Sequence, residues 1–150
     1  MGDNEAAIGE TRFERGQRIL SQQPFSVLLG TELVRADEHG VELRIPLRAE
    51  FLQQHGFAHG GLLSYAADNA LTFAGGMALG GRPVLTSEYK INYVRPAVGE
   101  AVIVRAQVVY AGRKQAVARC DVFTLRDGVE TLVAVGQGTT VVVEQPASTT

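Results

Sequence analysis

The sequence predicts an α+β domain in which a curved antiparallel β-sheet wraps around one long central helix. Three observations predict it. His59 to about Met77 is the only long helical candidate, and its apolar residues run nearly all the way round; a helix of that kind is buried on most sides. After Pro83 the chain reads as four long β-branched runs. The breaks between those runs are short, which predicts antiparallel meander neighbours. A sheet needs one face covered and this helix needs a wrapping, so each satisfies the other.

The size and composition agree with one such unit. The chain has 150 residues, is 45% hydrophobic and 20% charged, and carries a net charge of −2. That is one ordinary soluble domain. No block of like charge suggests a nucleic-acid or anionic-membrane partner. Cys120 is the single cysteine; it reads as a small apolar residue in a reducing compartment, and a cytoplasmic location is expected. The start lacks an apolar signal core. The most apolar stretch, Leu62 to Leu79, carries Asp68 and Asn69 in its middle, which argues against a membrane span.

The elements follow in order. Residues 1–11 and 145–150 read as loose tails around a single domain at 12–144. Arg12 to Leu29, with Phe13, Ile19, Leu20, Phe25, Leu28 and Leu29 broken by Pro24, suits a short helix and a turn. Val41, Leu43, Ile45 and Leu47 alternate with polar residues and Pro46, a half-buried strand. Glu38, His39 and Gly40 precede it as the turn of a hairpin. Residues 48–58 read as a loop. The long helix is expected to end at Gly75, Gly76, Gly80 and Gly81. The strands then run at 84–94, 101–111, 115–125 and 131–143.

Charge and glycine together mark where chemistry sits. The window Phe51 to Ser87 holds only two formal charges, Asp68 and Arg82, and seven of the chain's 17 glycines lie between residues 56 and 81. A carboxylate in the middle of an apolar helix is costly unless paired or hydrogen-bonded. Asp68 is therefore a candidate base or nucleophile, or else caps a neighbouring group or faces a wet seam. Gly60 and Gly61 open the helix and leave backbone N–H groups uncovered at its positive end. Such groups bind a phosphate or polarise a carbonyl; close packing of helix on sheet is the plainer role for the same glycines. His55 and His59 are four apart, but no third ligand follows at metal spacing. Neither metal nor cofactor is expected. Serine-hydrolase, P-loop and dinucleotide fingerprints do not occur.

Helix geometry adds a constraint. His59 and Asp68 are nine residues apart, about 13 Å along the axis and on opposite sides of it. One carbonyl cannot be held at the helix start and attacked beside Asp68 of the same chain. An antiparallel pair of these helices about a two-fold axis brings Gly60 of one chain to Asp68 of the other, twice.

The run from Gln53 through His59-Gly60-Gly61 to Asp68-Asn69, followed by the strand Leu85 to Tyr93 and then Arg95-Pro96-Ala97, resembles the PaaI-like acyl-CoA thioesterases of the hotdog-fold superfamily. The resemblance covers residues 25–143. It implies a hotdog domain that forms dimers or tetramers with shared active sites and hydrolyses an acyl-CoA to free acid and CoA. It implies Asp68 as general base or nucleophile, the Gly60 N–H as oxyanion donor, and His59 as a positioning group. Thr86 falls where members carry a hydroxyl near the attacking water. Many members have asparagine where this chain has Gln53, which donates the same amide hydrogen bond from a longer arm. Gly61, Arg95, Arg113 and Lys114 become candidates for substrate and CoA phosphate contacts, and Leu63, Tyr65, Ala67 and Phe73 for the acyl slot. The alternatives are an enoyl-thioester hydratase or dehydratase on the same fold, and a non-catalytic acyl-CoA-binding module.

Overall fold

The computed structural model describes residues 9–144. The tails expected at 1–11 and 145–150 fall outside the described residues except for 9–11. Of these, Thr11 caps the first helix, α1 (Arg12–Ser21). Its hydroxyl accepts from the Glu14 N–H at 3.1 Å, and Glu14 accepts from the Thr11 N–H at 2.8 Å, a reciprocal capping box. Pro24 then starts a second short helix, α2 (Pro24–Leu29), where its missing N–H costs nothing.

β1 (Glu32–Asp37) and β2 (Gly40–Pro46) form the expected hairpin. Its tip is fixed by Asp37, whose carboxylate accepts from the His39 N–H at 2.8 Å. The long helix is α3 (Gly60–Ala78), followed by β3 (Val84–Tyr93), β4 (Ala101–Ala111), β5 (Gln115–Arg126) and β6 (Val129–Val142). The six strands lie in the order β1-β2-β4-β5-β6-β3, with all pairings antiparallel.

This order corrects one expectation. The short segment Pro96 to Glu100 does not join neighbours. β3 pairs with β6 at one edge, while β4 pairs with β2 and β5. A short connection between strands reads as a hairpin only when both lie side by side; here the chain passes beneath the helix start, where the Ala58 N–H donates to the Ala97 carbonyl at 2.9 Å. The β4-β5-β6 meander is as expected.

α3 contacts β2 through β6. Five strands span about 19 Å at ordinary spacing, wider than a helix of about 10 Å, so the sheet must curve to keep all five on it. Val41, Leu43 and Ile45 of β2, Val102 and Val104 of β4, and Val122 of β5 alternate inward and are buried against the helix. The outer face carries the polar half of the alternation. There Arg105 bonds Glu42 at 2.8 Å and Glu130 at 2.6 and 2.7 Å.

The helix differs from expectation in two ways. It is not buried all round: Ser64, Asp68 and Thr72 lie half-buried on one stripe at four-residue spacing. It also does not end at Gly75. Gly75 and Gly76 lie inside it, because the sheet comes too close for a side chain: a Cβ at Gly75 would sit 2.7 Å from Thr140 Oγ1. The chain leaves the helix at Gly80 and Gly81, both left-handed at φ 78° and 72°. No helix among the described residues is long and apolar enough to cross a membrane.

Candidate active site

α3 runs antiparallel to β3, and its half-buried stripe meets that strand rung by rung. Tyr93 Oη donates to the Gly60 carbonyl at 3.1 Å. Ser64 and Tyr89 share a hydrogen bond between their hydroxyls. Thr86 Oγ1 donates to Asp68 Oδ1 at 2.6 Å. Thr72 Oγ1 lies 2.8 Å from Thr86 Oγ1 and donates to the Asp68 carbonyl at 2.7 Å. The stripe thus joins one carboxylate to a row of hydroxyls along the edge of the sheet.

A bulge makes this possible. Thr86 pairs with Thr140 and Glu88 with Thr139, so Ser87 is one residue too many for its partner strand. Without it, strict alternation would send Thr86 and Tyr89 to opposite faces. With it, Thr86, Tyr89 and Ile91 are all half-buried on the α3 side.

At the helix start, His59 is the N-cap. Its Nδ1 accepts from the Gly61 N–H at 2.8 Å, which puts the proton of the neutral ring on Nε2. That hydrogen bond takes Gly61 out of play as a donor. The Gly60 N–H, in contrast, has no acceptor among the described residues. It lies in the first turn, where the helix dipole favours developing negative charge. Gly60 and Asp68 remain about 12 Å apart along the axis. Gly60 and Asp68 both touch β3, through the Gly60 carbonyl and the Asp68 carboxylate, eight helical steps being two full turns and about 80° more.

A chain with this architecture and this stripe matches the family model described as the thioesterase superfamily over residues 55–131, which run from the loop before α3 into β6. The chain belongs to the thioesterase superfamily. A thioesterase family protein from Silicibacter pomeroyi is 30% identical, with 87% of this chain and 97% of that one covered at a TM-score of 0.78. A variant of the phenylacetic acid degradation protein PaaI from Thermus thermophilus is 30% identical, with 81% of this chain and 100% of that one covered at a TM-score of 0.69. PaaI of E. coli is 20% identical and shares the fold, at a TM-score of 0.75 over 89% of this chain and 97% of that one. No curated protein matches the chain. The hotdog architecture and the PaaI-like resemblance of the sequence are thus in place.

The other expected residues of this thioesterase-superfamily chain are placed as follows. Gln53 Oε1 accepts from the His55 N–H, and the Gln53 N–H and carbonyl bond Phe57 and Gly56 at 2.8 and 2.9 Å. Its acceptor end therefore shapes the loop leading to His59. Arg95 donates to the Leu132 carbonyl at 2.9 Å beyond the end of β3. Arg113 and Lys114 form the tip between β4 and β5, beside Pro83 and Val142 at the other end of β3. Ten residues of strand separate these two groups by about 30 Å, so one protomer does not gather the three cations. Leu63 and Ala67 are core residues, and Tyr65 bonds Ser26 at 2.6 Å and Thr31 at 2.8 Å. Of the four slot residues, Phe73 lines a cavity beside α1. Among the described residues, no three acidic, histidine or cysteine side chains come together as a metal site.

Sequence reasoning missed Thr72, Ser64, Tyr89 and Tyr93. Thr72 had a signal, four residues after Asp68 and on its face. The tyrosines reach the helix only through the Ser87 bulge and the strand order.

Proposed function

We propose that the protein hydrolyses an acyl-CoA thioester to a free acid and CoA, with Asp68 as base or nucleophile. The observation that carries this is the Asp68 carboxylate held by Thr86 at 2.6 Å, on the helix whose first N–H is uncommitted, in a chain of the thioesterase superfamily. As a base, Asp68 takes a proton from water, and the water oxygen adds to the thioester carbon. The carbonyl oxygen becomes an oxyanion that accepts from the Gly60 N–H. Collapse breaks the C–S bond, and the departing CoA thiolate recovers the proton. As a nucleophile, Asp68 adds to the carbon itself and the C–S bond breaks to expel CoA thiolate. Water then cleaves the resulting anhydride, freeing the acid and the Asp68 carboxylate while the water's proton goes to the thiolate. Thr72 and Thr86 hold the carboxylate or the water in either route.

The 12 Å axial separation supports a site shared between two chains. β3 is an edge strand, paired only with β6, and an unpaired edge beside the site invites a second copy. Two-fold pairing there would set the Gly60 of one protomer against the other's Asp68. A hydratase would need a histidine paired with a carboxylate for C–H and C–O chemistry; His59 caps the helix and Asp68 is partnered by hydroxyls.

The test is thiol release from a panel of aliphatic and aryl acyl-CoA thioesters, phenylacetyl-CoA among them because the Thermus relative is named for phenylacetic acid degradation. Release by the parent and not by Asp68→Ala supports the reading. Tight binding with no thiol released makes the protein a binding module, and loss of enoyl absorbance from crotonyl-CoA makes it a hydratase.

A further inference from the structure

A cavity of about 740 Å³ lies between α1, the C-terminal half of α3 and the start of β3. One side of it is Thr72, whose hydroxyl lies 2.8 Å from that of Thr86 beside Asp68. Phe73, Met77 and Val84 give it an apolar wall. Arg15, Arg18 and Arg82 also line it, and no carboxylate does among the described residues.

These arginines are not equally neutralised. Arg18 is held by Glu10 through hydrogen bonds of 2.9 and 3.2 Å. Arg15 approaches the same Glu10 only at 3.9 Å, and its guanidinium packs against the backbone at Gly81. Arg82 bonds the carbonyls of Leu79 and Arg113 and has no carboxylate partner among the described residues. Capping the α3 C-terminus accounts for Arg82 alone. It does not account for Arg15, which arrives from another helix at the neighbouring Gly81. Like charges brought together without an acidic residue between them repel, and an anion between them offsets that repulsion.

We propose that this cavity receives the acyl group and selects acyl groups that end in a carboxylate, read by Arg15 and Arg82. The inference rests on the hydrolase reading above. The chemistry recognised is an oxyanion carried by the thioester, and its two sources are the acyl terminus and a phosphate of CoA. Position favours the acyl terminus. Thr72 is six residues before Ala78, where α3 ends, about 9 Å along the helix, and the lining between is apolar, as suits methylenes between a thioester at Asp68 and a charge at the arginines.

The experiment compares kcat/KM for dodecanedioyl-CoA and dodecanoyl-CoA, which share a twelve-carbon acyl chain long enough to reach the arginines and differ in the terminal carboxylate. The parent is expected to favour dodecanedioyl-CoA, and Arg15→Gln with Arg82→Gln to cut that preference about tenfold or more, the loss of charge-assisted hydrogen bonds. A preference that is absent in the parent, or unchanged in the variant, overturns the proposal. Both substrates falling in step also overturns it, since the arginines then serve the CoA common to both. Arg15→Gln alone keeps the test open should the double variant not fold. The dodecanedioyl and dodecanoyl thioether analogues of the two substrates, titrated calorimetrically, read the same preference without turnover. If the parent hydrolyses neither these nor any thioester of the wider panel, the hydrolase reading fails, and the analogues alone decide the subsite.

Discussion

Thr86 Oγ1 meets Asp68 Oδ1 at 2.6 Å on the same side of β3 as Tyr89, because the bulge takes Ser87 out of the ladder. Residues 84–86 and 89–91 would otherwise face in opposite phases. The bulge lets the catalytic candidate and the tyrosine ladder share one side of β3.

Thr86→Val is therefore expected to lower turnover about tenfold or more, by loss of one positioning contact, with the strand register intact. Deleting Ser87 removes the extra residue and leaves Thr86, Tyr89 and Ile91 in phase, so it should cost far less than Thr86→Val. Steady-state kinetics of both variants checks this. Full activity in Thr86→Val would show that its hydroxyl does not position the site.

Asp68→Asn keeps the shape and removes the base. Turnover should fall about 100-fold or more, with the melting temperature nearly unchanged because the side chain is half-buried and bonded only to hydroxyls. Thiol release against a panel of thioesters, together with a thermal melt, reads both parts.

Gly75 is expected to reject even a methyl group. Alanine gains about 1 kcal/mol of helix propensity but places a Cβ 2.7 Å from Thr140 Oγ1 and 2.8 Å from its Cβ, and overpacking of this kind costs about 1–3 kcal/mol. Gly75→Ala should lower the urea midpoint in the parent and raise it within a Thr140→Gly background, which removes both contacting atoms. Equal effects in the two backgrounds would place the contact elsewhere.

Cys120 is buried, and burial pushes its thiol up to about 12. Ellman's reagent should find no reactive protein thiol at pH 8, so that CoA release is read without a background. The folded pKa lies above the ordinary value of 9.0. The protonated thiol is therefore favoured by folding. Its contribution is intact below pH 9 and is lost as pH rises toward 12. Cys120→Ala should flatten that alkaline loss in urea titrations.

A site shared between chains makes activity depend on concentration. Specific activity should fall on dilution through the range where light scattering shows dimers becoming monomers. Constant specific activity in the monomer range would mean that each chain holds a complete site.

The sequence was most readable where pattern and burial coincide. Val41, Leu43 and Ile45 alternate because one face is covered, and all three are fully buried. Asp68 stood out because its only charged neighbour between Phe51 and Ser87 is Arg82. What could not be read were relations between distant residues. Gly75 looks like a helix end until Thr140, far along the chain, shows why it must be small. Pro96 to Glu100 looks like a hairpin turn because local sequence does not state which strand lies alongside β3. Thr72 and Tyr89 carry no unusual composition, and their place depends on the Ser87 bulge, which leaves no mark in the apolar pattern of β3.

The partner of β3 also sets an order of events. β3 is made before β4, β5 and β6, yet it bonds only to β6, the last strand of the chain. During synthesis, β1, β2, β4 and β5 can zip together while Thr86 still lacks the strand that fixes it opposite Asp68. Contacts of such sequence separation form late. A chain cut short before Thr139 would keep most of its sheet and have no positioned carboxylate, so the Asp68–Thr86 contact is among the last parts of the fold to form.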